Sequence, residues 1–113
     1  MIWRIRDRRT FARLRIEGQR GRSGPVTVTF LPDPPPESDL PPRVAFSVGK
    51  RVGTATVRNR VRRRLRAAMV ERSELAGLRP GTYLVSAGPG LVATNWSTLG
   101  SRLDEALAKA HRS

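Results

Sequence analysis

From Arg43 to Gly49 the chain alternates: Val44, Phe46 and Val48 fall on one side, Ala45 and Ser47 on the other. That two-residue period predicts a strand with its larger residues against a core. The period then changes. Gly49 and Gly53 bracket a turn carrying Lys50 and Arg51, Thr54 suits a helix N-cap, and Val57, Val61, Leu65 and Ala68 recur at helical spacing. At about 100° per residue from Val57, these positions and Met69 stay inside an arc of roughly 120°. Arginines and Asn59 fill the rest of the circle. Only Arg58 projects into the apolar arc, which places it at the helix start with its stem bent outward toward a ligand.

The same two periods organise the remainder. A short helix is predicted from Arg8 to Glu17, ended by Gly18, with Phe11 and Leu14 three residues apart. Val26, Val28 and Phe30 alternate with Thr27 and Thr29, a strand that puts the threonines on the open face of a sheet. Residues 32–42, PDPPPESDLPP, hold six prolines, three acids and no base. They read as an extended or mobile loop between two hairpin strands, lying away from any polyanion. The stretch from Glu71 mixes charges and closes in Leu78-Arg79-Pro80-Gly81 as a helix end and turn. Thr82 to Ala87 is apolar on both faces, as in a central strand. Asn95 caps a last helix bearing Leu99, Leu103, Ala106, Leu107 and Ala110. Trp96, at its start, reads as core, with a lid on a groove as the alternative.

The order is α-β-β-α-β-α, an α+β, two-layer α/β sandwich in which a basic helix crosses between neighbouring strands. With 113 residues, 38% of them hydrophobic, the expectation is a single domain spanning 1–113. It would bury about 65% of the unfolded chain's surface.

Charge changes the picture most. The formal net charge is +13, with 20 Arg against 2 Lys. Residues 46–69 hold eight of the 22 basic residues and no acid; the flanking acids are Asp39 and Glu71. A solvated helix face ordinarily mixes signs, because like charges three or four residues apart oppose the helix. Guanidinium forks suit phosphate, and a nucleic acid would relieve the crowding while releasing condensed counterions. Residues 1–22 add eight Arg against Asp7 and Glu17. A solubility helix fits poorly without acids, and a membrane-surface helix poorly without Trp or Phe in the apolar arc. The absence of Cys excludes disulfides and thiol chemistry. No segment resembles a signal peptide or membrane span, so the expected location is the cytoplasm.

The run Phe46-Ser47-Val48-Gly49-Lys50-Arg51-Val52-Gly53, followed by Arg58-Asn59-Arg60-Val61-Arg62-Arg63-Arg64-Leu65-Arg66, closely resembles the signature of the protein subunit of bacterial ribonuclease P. The resemblance implies a left-handed crossover, against the general right-handed rule. It also implies that the RNA subunit holds magnesium and hydrolyses the phosphodiester at the 5′ end of mature tRNA, with no cofactor bound by the protein alone. Lys50, Arg51, Arg58, Asn59, Arg60, Arg63 and Arg64 would contact the catalytic RNA. Phe11, Arg15, Thr27, Thr29, Arg62 and Arg66 would line a cleft for the single-stranded leader of precursor tRNA. Arg15 stands where the family usually has a second aromatic, and Thr29 near where it has a larger residue. Phe11 as a plain core residue is the competing reading.

No catalytic residue or metal ligand is expected in the chain itself. Its one histidine, His111, sits near the C-terminus and reads as inert; the nine acids lack metal-ligand spacing. The expected protein is a monomer whose partners are the catalytic RNA and precursor tRNA, with no membrane. The alternative from another class is a non-enzymatic RNA-binding module, such as a ribosomal or ribonucleoprotein-assembly protein.

Overall fold

A computed structural model describes residues 1–33, 40–75 and 77–112. Five strands form one sheet: β1 (Trp3–Arg4), β2 (Gln19–Ser23), β3 (Val26–Pro32), β4 (Arg43–Val48) and β5 (Gly81–Ala87). Three α-helices join them, α1 (Arg8–Glu17), α2 (Ala55–Glu74) and α3 (Trp96–Arg112), with 3-10 turns at Lys50–Val52 and Pro89–Ala93. The six elements read from sequence are present in the expected order, with β1 and β2 in addition. The mixed α+β class stands.

Across the sheet the order is β1-β4-β5-β3-β2. β4 and β5 pair in parallel, so α2 is a crossover between neighbours; β3 pairs antiparallel with both β2 and β5. The Pro-rich segment therefore does not close a hairpin: β5 separates β3 from β4, because β3 takes the unforeseen β2 as its hairpin partner. Residues 34–39 of that segment lie outside the described residues. Its two ends are fastened together by Arg43, whose guanidinium bonds the Asp33 carboxylate and the Pro41 carbonyl.

β2, QRGRS, carries no apolar alternation, which is why periodicity misses it. Its buried positions are Gly21 and Ser23. A side chain on Gly21 would place its Cβ 2.2 Å from the Ala106 carbonyl oxygen, so the strand lies directly under the α3 backbone.

The main core lies between the sheet and the pair α2 and α3. Val28, Phe30, Val44, Tyr83 and Val85 meet Val61, Leu65, Met69, Leu103 and Leu107 there, all buried. α1 covers part of the opposite face over a smaller cluster of Ile5, Leu14 and Leu31, against which Phe11, Ala45 and Leu84 pack. β5 feeds both clusters, as its two-sided apolar pattern predicts. Asp7 caps α1 by accepting from the Arg9 amide at 2.9 Å, and Gly18 ends it by donating to the Leu14 carbonyl.

Two local readings are corrected. α2 ends at Glu74 with Leu75 as its cap, short of the Leu78–Gly81 turn. Trp96 is 47% exposed rather than core: one turn of helix carries it past the last position facing the sheet. His111, read as inert, packs on the core. Its Nε2 lies 2.8 Å from the Tyr83 hydroxyl, which itself donates to the Arg79 carbonyl, and its ring meets Phe30 edge-on at 4.7 Å. Burial, helped by the Arg79 charge, lowers the His111 pKa, and burial raises that of Tyr83.

Candidate nucleic-acid interface

The turn after β4 presents Lys50 and Arg51 to solvent and buries Val52 beneath them. The Thr54 hydroxyl accepts from the Val57 amide at 3.4 Å, starting α2 beside these two cations. The positive end of the helix dipole adds to their field. With Val61, Leu65, Ala68 and Met69 held inward, Asn59, Arg60, Arg63 and Arg66 are forced to the exposed surface. Among the described residues, none of the α2 arginines from Arg58 to Arg66 pairs with a carboxylate; the ion pairs involve Arg13, Arg43, Arg72 and Lys109.

These arginines do not all stand free. Arg62 donates to the Asn59 side chain at 3.0 Å and to the Val48 carbonyl at 3.4 Å, so Asn59 aims Arg62 back over the end of β4. Arg64 reaches the carbonyls of Leu91 and Thr94 at 3.4 and 2.5 Å, holding the second 3-10 turn against α2. It uses its fork inside the protein, unlike the outward contact expected of it. Arg58 is half-buried with its Nε enclosed and unbonded, so its stem folds inward rather than bending out.

Between α1, the far end of β4 and α2 lies a cleft of about 390 Å³ lined by Phe11, Arg15, Ala45, Ser47, Leu84 and Arg62. Phe11 holds both of its alternatives: it is half-buried, packs on the small core cluster and lines the cleft. Arg66 stands one turn beyond Arg62, its guanidinium carbon 5.1 Å from the centroid of the Phe46 ring.

The threonines behave differently from the open-face expectation. Thr29 is 5% exposed, because the end of α1 closes over it; a Cβ on Gly18 would meet its methyl at 2.4 Å. Thr27 is half-buried in the next row, paired across the sheet with Ser86 and Arg22, and does not line the cleft. What periodicity missed is the N-terminal strand, which brings Trp3, Arg4 and Arg6 beside Arg66. The one signal was an indole among closely spaced arginines.

Among the described residues, no three His, Asp or Glu side chains stand together where they could hold a metal ion, and no helix is long and apolar enough to cross a membrane. The donor set is almost wholly cationic, which repels a metal and attracts phosphate.

An α+β fold with a guanidinium ridge that meets no acid among the described residues, beside a cleft lined by Phe11 and Phe46, defines a class: a small basic protein built to receive RNA. The chain belongs to the ribonuclease P protein family, whose model, described as Ribonuclease P, matches residues 2–111. It is similar to the ribonuclease P protein component of Thermobifida fusca, with 41% identity over 96% of this chain and 76% of that protein. The corresponding component of Clavibacter michiganensis is 38% identical over 84% of this chain and 80% of the relative. The fold matches the RNase P protein of Staphylococcus aureus, with a TM-score of 0.78, 20% identity and 96% of each chain covered. That of Thermotoga maritima gives a TM-score of 0.75 at 22% identity, over 97% and 96% of the two chains. The chain is thus a protein component of an endoribonuclease, partnered with the ribonuclease P RNA in tRNA processing, and the ribosomal or assembly-protein alternative falls away.

Proposed function

We propose that the chain acts as a single RNA-binding domain with two working surfaces. Lys50, Arg51, Arg60 and Arg63, with Asn59 and the half-buried Arg58 behind them, dock on the catalytic RNA; Arg64 braces that surface from within. Phe11, Arg15, Arg62 and Arg66 grip the single-stranded leader of precursor tRNA. Phe11 offers a ring to a base, and the arginines offer forks to phosphates. Thr29 enters as the floor under the end of α1, with Thr27 in the next row of the sheet.

In this reading hydrolysis belongs to the RNA. Magnesium held by RNA phosphates would supply the charge needed for hydrolysis. The protein's contribution is to lower repulsion between two polyanions and to fix the leader. In this reading the chain works as a monomer in the cytoplasm.

The observation that carries this reading is the row of α2 guanidiniums from Arg58 to Arg66 with no carboxylate partner among the described residues. Replacing Arg60 by Ala should weaken binding to the RNA subunit and make the plot of log affinity against log salt shallower by about one unit. An unchanged slope would remove Arg60 from the phosphate contacts.

A further inference from the structure

Alongside β1 lies a second cavity, of about 640 Å³, lined by Ile2, Trp3, Arg4, Arg6 and Arg66. Trp3 is 46% exposed and lines this cavity. The strand that carries it is held at both ends. The Trp3 amide donates to the Pro42 carbonyl at 2.7 Å, Trp3 and Arg4 pair with Arg43 and Val44, and the terminal amine donates to the Ser73 hydroxyl at 2.7 Å. An indole on an anchored strand is preorganised, so stacking on it costs little ordering.

We propose that this cavity is a second base-stacking compartment for the precursor tRNA leader, taking one nucleotide beyond those held in the Phe11 cleft. The inference rests on the leader reading above. Trp3 receives the base; Arg4, Arg6 and Arg66 receive its phosphates. Among the described residues no carboxylate lines the cavity, so its charge complements a polyanion. The two cavities adjoin at one pair of side chains: Phe46 borders the cleft, and Arg66, which lies over the Phe46 ring, borders the second cavity. From Arg62 to Arg66 the helix advances one turn, about 6 Å, away from the turn bearing Lys50 and Arg51. A leader emerging from the RNA subunit at that turn passes Phe11 and Arg62 first and reaches Trp3 afterwards.

The test uses the holoenzyme carrying Trp96→Phe, which leaves Trp3 as the only tryptophan of the two in the chain. Precursor tRNAs with leaders lengthened one nucleotide at a time are titrated while indole emission is followed. Trp3 emission should fall only with leaders longer than the shortest that responds to Phe11→Ala. In parallel, Trp3→Ala should weaken long-leader binding about tenfold, the scale of one lost base stack, and leave short-leader binding unchanged; Trp3→Phe should recover most of the loss. Emission that falls when the RNA subunit binds, before any substrate, would assign the cavity to that subunit and overturn the proposal. So would emission and affinity indifferent to leader length while Phe11→Ala still discriminates. If Phe11→Ala also fails to discriminate, the leader reading itself is lost, and the compartment with it.

Discussion

The two halves of α2 use the same side chain for opposite ends. From Arg58 to Arg66 the arginines meet carbonyls, an amide or a ring or stand exposed, and among the described residues they meet no acid. One turn and a half later, Arg72 is enclosed, its side chain 13% exposed, and saturated: Nε bonds Asp104 at 2.7 Å, and the terminal nitrogens reach the carbonyls of Ala68 and Gly100 at 3.0 and 3.2 Å. Asp104 is supplied by α3, which packs against this half. A guanidinium with carboxylate and carbonyl partners holds two helices together. Deprived of them it keeps its field for a ligand, and the first half pays in like-charge repulsion that only a polyanion relieves.

The largest effect should come from the face both halves share. Leu65→Ala, at a fully buried position, should cost about 2–5 kcal/mol in urea denaturation. The salt slope of RNA binding by the folded fraction should not move; a changed slope would mean that the apolar seam and the cationic ridge are not separable. Next is the cleft. Phe11→Ala should weaken binding of long-leader precursors relative to leaderless tRNA by about 1–3 kcal/mol, and equal losses on both would make Phe11 a core residue only.

The contrast within α2 is sharpened by Arg72→Ala. It should lower stability by about 1 kcal/mol, since Asp104 remains largely exposed and is cheaply left unpaired, and should leave the salt slope as it was. Arg60→Ala should do the reverse. If Arg72→Ala also flattens the slope, the two halves are one surface.

The smallest effect concerns His111. Its folded-state pKa lies below the unfolded value of 6.5, so the unfolded chain binds the proton more readily. Stability should be level above that pH and decline as the pH falls below it, and His111→Gln should remove that part of the decline. Denaturation midpoints measured across this range decide it; a rise in stability on acidification would reverse the sign.

Much of the fold was legible because apolar period and burial coincide. Val44 and Val48, Val26 and Phe30, and Val61 through Met69 all lie where their spacing puts them. β2 was hidden because the side it buries consists of Gly21 and Ser23, selected for close backbone approach to α3 rather than for hydrophobicity. β1 was hidden because two residues show no period. The arginine ridge was visible as a run without acids; the divergent fates of Arg58, Arg62 and Arg64 were not, since each depends on which carbonyl or wall folds back within reach.

Sequence alone determined the strand–turn–helix at the centre, the sign of the partner's charge and the family, because periodicity, composition and a short motif are local properties. Only the tertiary structure decided that β5 would part β3 from β4, that Thr29 would be roofed by α1, and that Trp3 would stand beside Arg66. Those placements are set by contacts between residues far apart in the chain, and no local pattern encodes which distant surface a side chain will meet.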